Sequence, residues 1–521
     1  MHQGIALSPL APFVVTTPLS ATVGEDTAFF GHPRGLGLLF LTEMWERFSY
    51  YGMRALLVLY LVNQLEWDTA RAAGVYGTYT MLVFLTPMIG GYLADRYIGT
   101  HRALVIGGFI IASGHFVLAI PGMNAFYTGL GLVVIGTGFF KANVSTMVGQ
   151  LYSVSDTRRD SGFTLFYMGI NTGAFLGPIV CGYLAQSDRF GWHYGFAAAG
   201  VGMVLGLIGY MLMKRKYLGT IGDAPRGAAT VGVDVLGDDK DISTRNGAIG
   251  VVGGGVLAWL ASGSILGVMM GSVIGAALAI SVLGTRGEER KRVVALFIVA
   301  FFVVFFWAAY EQAGSSMSLF ADRSTDLQAG SFEIPSTWFQ SVNAFFIIFF
   351  APVFASFWLA LGRRGKEPST ALKMSIGLAL VGAGFLLLAI GGGRADAGIK
   401  VSPMWLVGAY LFHTFGELCL SPVGLSYVTK VAPVKFASLL MGVWFLANAA
   451  ANKVAGFIAG YTPLPGQAPS TPEGGFGGYI QQLSATNKGF FTIFVVTSFA
   501  AAVVMFLCVP LLRRLTKSVK A

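Results

Sequence analysis

Residues 35–62 read GLGLLFLTEMWERFSYYGMRALLVLYLV, a run long enough to cross a bilayer that carries two glutamates and two arginines in its middle. An unpaired charge at the bilayer centre costs about 3 kcal/mol on insertion scales, so four would cost roughly 12 kcal/mol. Wound as a helix at about 100° per residue, Glu43, Glu46, Arg47, Tyr50 and Arg54 fall on one stripe, while Trp45, Phe48 and Leu56 lie off it. Two acids and two bases nearly cancel within the stripe, which removes most of that cost. Such a stripe faces a bundle interior or a water-filled cavity and not lipid. A structural ion cluster clasping two helices is the alternative, although five polar positions over three turns exceed what a clasp needs.

The rest of the chain fits this membrane reading. Of 521 residues, 55% are hydrophobic and 12% charged, with a mean hydropathy of +0.67; a soluble protein carries about 25% charged residues. Apolar runs of spanning length lie near 36–62, 73–95, 102–120, 125–149, 163–185 and 192–213, and again near 293–312, 338–361, 373–391, 403–428, 436–461 and 489–512. Between the two sets of six, 214–246 is polar and 247–284 apolar with a weak break near Ser262. The expected organisation is therefore an all-α integral membrane protein: a tail (1–34), a six-helix bundle (35–213), a linker with an inserted helical hairpin (214–292) and a second six-helix bundle (293–521), about fourteen membrane helices in all. A single re-entrant element is the alternative for the insert.

Lysines and arginines set the orientation. With alternating spans and a cytoplasmic N-terminus, inside segments hold 25 of the 35 basic residues, outside loops six, and the spans four: Arg47, Arg54, Lys141 and Lys453. That bias places both termini in the cytoplasm and accounts for the net charge of +10 without a nucleic-acid partner. The start of the chain has no basic segment ahead of an apolar one, so no cleavable signal peptide is expected. Cys181, Cys419 and Cys508 all sit in apolar runs and read as small buried hydrophobes, not as a disulfide framework or a metal site. Glycine-rich runs near 249–256 read as helix packing, because no strand pattern or downstream acid makes them a dinucleotide site. No catalytic constellation is present, so no enzyme and no cofactor is expected.

The loop after the second span, GGYLADRYIGTHR, has the form G-x-x-x-D-R-x-x-G through Gly91, Asp95, Arg96 and Gly99. It resembles the cytoplasmic signature of the major facilitator superfamily, in which Asp95 and Arg96 would pair with neighbouring charges and helix ends and latch one conformation. Other spans carry matching polar anomalies: Lys141 and Asn143 in the fourth, Tyr167 and Asn171 in the fifth, Trp307, Tyr310, Glu311 and Gln312 at the end of the seventh, Gln340 and Asn343 in the eighth, His413 and Glu417 in the tenth. Cations from the first half and acids from the second suit a cavity between two rocking bundles. The ExxERFxYYG stretch beginning at Glu43, together with FYMGINTGAFLG, WFQSVN, ELCLSPVGLS and MGVWFLANA, resembles the proton-dependent oligopeptide transporter (POT, PTR2) family from about Gly35 to Leu512.

That resemblance implies a proton-coupled symporter that imports di- and tripeptides across the cytoplasmic membrane by alternating access, with protons as its coupling ion; a monomer is the separate expectation. The implied roles make chemical sense. Arg54 and Lys141 would take a peptide's carboxylate; Glu417, Asn171 and Asn343 its ammonium; Tyr50, Trp307, Tyr310, Trp444 and Phe445 would wall the side-chain pockets. Glu43, Glu46, Arg47 and Glu311 would couple protons, since a carboxylate beside a cation stays ionised and takes a proton when that partner leaves. Arg54–Glu311 and Lys141–Glu417 would be alternating gates. Phe84 departs from several relatives, which place a tyrosine there. His413 reads as structural, Lys453 as snorkelling to the outer surface, and Arg71 with Asp322 as a weak outer latch. A nitrate or other small-anion carrier on the same fold is the rival. Plant nitrate carriers of the family use a seventh-span histidine, 293–312 has none, and Glu417 favours peptides. A channel would need no alternating ion pairs, and a sensor would need a signalling domain.

Overall fold

The computed structural model describes residues 26–153, 156–225, 240–262, 265–433, 436–463 and 476–517, and those residues are almost wholly helical. The first bundle comprises α1 (Arg34–Leu59), α2 (Thr69–Leu93), α3 (Thr100–Leu118), α4 (Met123–Gln150), α5 (Arg159–Gln186) and α6 (Trp192–Leu218). A hairpin follows, α7 (Lys240–Ser262) and α8 (Ile265–Leu283). The second bundle is built from α9 (Gly287–Tyr310), α10 (Ser316–Ser324), α11 (Phe339–Arg363), α12 (Thr370–Ala395), α13 (Met404–Val431), α14 (Ala437–Ala459), α15 (Phe476–Leu483) and α16 (Asn487–Leu515). A two-residue β-hairpin, Gln328–Ala329 against Phe332–Glu333, lies between α10 and α11. Nine of the described helices are long and apolar enough to cross a membrane. With Glu43, Glu46, Arg47 and Arg54 in its middle, α1 is not one of them.

Helix ends follow their local chemistry. The Asp68 side chain caps α2 by accepting from the Arg71 amide at 2.8 Å, and the Thr486 hydroxyl caps α16 by accepting from Gly489 at 3.0 Å. Gly99, at φ 82°, makes the sharp turn from α2 into α3.

Within the first bundle α1 packs on α5 and α6, α3 on α4 and α6, and α2 on α4; within the second, α12 packs on α13 and α16, and α9 on α14 and α16. Gly173 lets α5 approach α1, since a Cβ there would collide with the Met44 carbonyl oxygen. Apolar cores fill both bundles, one around Phe196, Leu57 and Val133, another around Phe306, Phe385 and Phe494. The halves meet along two seams, α2 against α14 and α5 against α11. The starts of α1 and the ends of α4, α6 and α16 share one end of the molecule, here the proximal end; the α1–α2, α5–α6 and α12–α13 loops mark the distal end.

The hairpin consists of two helices of 23 and 19 residues, each at least about 28 Å long at 1.5 Å per residue. They interlock through Gly250, Gly254, Gly271 and Gly275, where any Cβ would collide with the facing backbone. The turn between them lies outside the described residues. In the seventh span, 293–312 understates what forms: α9 stops at Tyr310, a 3₁₀ turn covers Glu311–Gly314, and α10 carries on to Ser324. A helix broken at an ionisable residue inside a bundle marks a candidate site.

Candidate functional site

The α1 stripe faces inward. Glu43, Glu46 and Arg47 are almost fully buried, with Arg47 Nε 3.1 Å from Glu43 Oε1 and in contact with Glu46 Oε2. One face of the Tyr50 ring lies 5.1 Å from the Arg47 guanidinium. Two turns on, Arg54 Nη2 pairs with Glu311 Oε2 of the broken segment while its Nε donates to the Tyr76 hydroxyl at 2.6 Å. Gly314 leaves the room for Tyr76, whose hydroxyl would collide with any Cβ there.

A cavity of about 300 Å³ opens at this level between the halves. The first half lines it with Glu43, Arg47, Tyr50, Tyr51, Arg54, Phe84, Lys141, Tyr167 and Asn171, the second with Trp307, Tyr310, Glu311, Gln340, Asn343, Tyr410 and Glu417. Glu417 is held by three donors: the Tyr310 hydroxyl, Asn343 Nδ2 at 3.2 Å and the Tyr167 hydroxyl at 3.3 Å. Asn343 also donates to Thr414 Oγ1 at 2.9 Å. Lys141 has no carboxylate within ion-pair distance among the described residues; its Nζ sits 4.3 Å from the centroid of the Phe84 ring. The chamber thus offers an ammonium on one half and a carboxylate on the other. Two further grooves, of about 520 and 330 Å³, lie between α1, α5 and α6 and between α5, α11 and α13, and no charged residue lines either.

Sequence and structure part company at several positions. Trp444 is buried in the core of the second bundle and does not line the cavity, and Phe445 is exposed. Glu46 lies behind the wall, touching the chamber only through Arg47. Lys141 and Glu417 are not paired here, for the reasons of geometry just given. Arg96 makes no ion pair among the described residues; it donates to the Tyr92 hydroxyl at 3.0 Å and stacks on Tyr92 and Tyr97, while Asp95 Oδ1 is buried without a hydrogen-bond partner. Arg71 stacks on Trp67 at 3.8 Å, and Asp322 accepts from Asn63 and Ser336, both at 2.9 Å, so those two form no latch. Lys453 does not reach for the outer surface: it donates across the α2–α14 seam to Thr78. His413 is buried against Phe385 with Nε2 unpartnered and makes no bond to Glu417, in line with a structural role. Tyr76 and Tyr410 were missed; a phenol inside an apolar span was the available signal.

Among the described residues, the hydrogen bonds that join the halves lie on the α2–α14 seam, at the cavity or at the distal end. There Asn63 meets Asp322, Gln186 Nε2 donates to Ser336 at 2.8 Å, Thr337 Oγ1 donates to Gln186 at 3.0 Å, Trp338 Nε1 donates to the Ile179 carbonyl at 3.0 Å, and the Ser341 hydroxyl donates to the Phe175 carbonyl at 2.7 Å. The distal end is closed.

Residues 101–471 match the family model PTR2, described as the POT family. "Peptide transporter YePEPT" of Yersinia enterocolitica is 39% identical over 464 residues, covering 83% of this chain and 88% of the relative. A "Di-/tripeptide transporter" of Lactococcus lactis subsp. cremoris is 34% identical over 460 residues, covering 82% and 89%. A solved peptide transporter, POT, in complex with sulfate superposes with a TM-score of 0.76 at 36% identity, covering 94% of this chain and 97% of the other.

Proposed function

Because the chain belongs to the POT family, we propose that it is a symporter that imports di- and tripeptides across the cytoplasmic membrane, driven by protons, through alternating access. It is a multi-pass membrane protein of the major facilitator fold. The observation that carries the reading is the chamber itself: an unpaired ammonium, Lys141, on the first half faces a carboxylate, Glu417, on the second. A zwitterion with an ammonium at one end and a carboxylate at the other satisfies both, and a chamber near the lower limit for small-molecule sites suits a short one. In this reading Lys141 and Arg54 take the peptide's carboxylate; Glu417 with Asn343 and Asn171 takes its ammonium; Tyr50, Trp307 and Tyr310 contact its side chains. A nitrate cargo has no group for Glu417.

The basic proximal end, with both termini, faces the cytoplasm, and the chain acts as a monomer. Arg54–Glu311 closes the periplasmic side in the state described, and Lys141–Glu417 closes the other side when the bundles, 35–213 and 293–521, rock. Protons enter at Glu43, Glu46 and Glu311, whose cationic partners Arg47 and Arg54 shift as the gates exchange. One charge crossing 100 mV supplies about 2.3 kcal/mol, so one proton can concentrate a neutral dipeptide roughly 50-fold.

The test is uptake into liposomes under an inward proton gradient, comparing labelled dialanine with nitrate. Concentrative dialanine uptake, with none of nitrate, is expected. Nitrate accumulation without dialanine uptake would overturn the reading.

A further inference from the structure

The α2–α14 seam is one of the closest approaches between the halves. A Cβ built on Gly77 would lie 2.8 Å from Gly456 Cα, and one built on Gly456 would lie 2.6 Å from Gly77 Cα. Gly456 opens a G-x-x-x-G run, GFIAG, whose second glycine, Gly460, faces Ala70. Small residues at this spacing let helices touch backbone to backbone in a membrane.

Beside that contact sits a cation that the cavity does not use. Lys453 Nζ donates to Thr78 Oγ1 across the seam at 2.8 Å, and the same hydroxyl donates to the Gly74 carbonyl at 2.8 Å, so its acceptor role toward the lysine is fixed. Neither α2 nor α14 contains an aspartate or glutamate, and Lys453 is in no ion pair among the described residues. An ammonium inside a membrane bundle is costly unless something receives it.

The seam is tied to the gate at both sides. On α2, Tyr76, next to Gly77, accepts from Arg54. On the other half, Gln312, next to Glu311, donates to the Ala455 carbonyl of α14 at 3.1 Å, and Ser316 holds its amide oxygen at 2.6 Å. The helices that Lys453 and Thr78 join therefore each touch one side of the Arg54–Glu311 pair, α2 through Tyr76 and α14 through Gln312.

We propose that Lys453 and Thr78 form a second latch of the distal end, which closes together with Arg54–Glu311 and sets the balance between the distal-closed and distal-open states. The proposal rests on the alternating-access reading. Lys453 touches no substrate; it is a positioning residue for the rocking step. Opening the distal end separates α2 from α14 and strips the ammonium of its acceptor, so the latch favours the closed state and slows its reversal.

Spin labels at Arg189→Cys and Ile399→Cys, with Cys508→Ala, report the distance between the halves at the distal end in nanodiscs, whatever the transport activity. Lys453→Met removes a hydrogen bond to a charged group and should move the label distribution toward the longer distance by about tenfold in population, and Lys453→Arg should restore it. Thr78→Val should act in the same direction, and the double variant should add little to the larger single effect. In liposomes Lys453→Met should change the maximal rate of dialanine uptake more than the half-saturating concentration. An unchanged label distribution in both single variants, or additive effects in the double, would overturn the latch. A wild type whose labels respond to Lys453→Met but which moves no peptide would overturn the functional reading and leave the latch standing.

Discussion

Replacing Glu417 by glutamine tests the chamber most directly. The carboxylate accepts from Tyr310 and Asn343 at Oε2 and from Tyr167 at Oε1; glutamine keeps an oxygen for the first two and can donate its amide to the Tyr167 hydroxyl, so the local fold should survive. What is lost is the anion that meets a peptide's ammonium. At about 4 Å and an effective dielectric of about 20 that attraction is about 4 kcal/mol, and desolvation of the ammonium brings the net value into the range of about 1.5–3 kcal/mol measured for hydrogen bonds to charged groups. The corresponding affinity ratio is about 10- to 150-fold. Binding of dialanine and of N-acetyl-dialanine to wild type and Glu417→Gln in nanodiscs isolates the effect. Wild type should prefer the free amine by that ratio, and the variant should bind both within about twofold, with its affinity for the acetylated peptide unchanged. A variant that keeps the preference would show that the amine lies elsewhere. One that loses both peptides equally would show that Glu417 only shapes the cavity.

Three further outcomes follow from the same geometry. Glu46→Gln should abolish gradient-driven accumulation yet leave dialanine exchange across preloaded liposomes measurable; accumulation at the wild-type level would remove Glu46 from the coupling. Glu311→Gln strands the buried Arg54, and breaking one side of a buried pair costs about 3–5 kcal/mol, so the distal labels should shift to the longer distance, whereas a distribution like wild type would deny the pair its gating role. Gly173→Val drives a side chain into the Met44 carbonyl and the Arg47 Cβ; overpacking of this kind costs about 1–3 kcal/mol, so the thermal melt in detergent should fall, and a midpoint at or above wild type would contradict the α1–α5 packing.

Elements that repeat were legible in the sequence because the bilayer forces them. Spanning length and the one-sided charge stripe of α1 each answer a cost that holds for any chain in lipid. Lys141, Glu311 and Glu417 stood out for the same reason, as ionisable groups inside apolar runs. Contacts that depend on which helix lies opposite were not legible. Lys453 looked like a surface cation because no acid lies near it on α14; its acceptor is a threonine on a helix more than three hundred residues earlier. Trp444 looked like a pocket wall because aromatics serve both purposes, and only the rotation of α14 puts it in the core. The break at Glu311 carried no glycine or proline at the break itself, only Gly314 three residues on.

The two pairs proposed as gates stand in different conditions, and that asymmetry bears on how a carrier of this design can work. Arg54 and Glu311 hold each other, while Lys141 and Glu417 are apart. Two lone buried charges would cost several kcal/mol each, more than the roughly 2.3 kcal/mol that a proton brings per 100 mV, and such a state would scarcely be populated. The chamber supplies substitutes. The Phe84 face holds the Lys141 ammonium, an interaction of about 0.5–2 kcal/mol, and two phenols with an amide hold Glu417 while its cation is away. Tyr167 comes from the first half and Tyr310 and Asn343 from the second, so the carboxylate is tied to both bundles while Lys141 stands apart. Neutral donors and an aromatic face thereby lower the cost of keeping Lys141 and Glu417 apart.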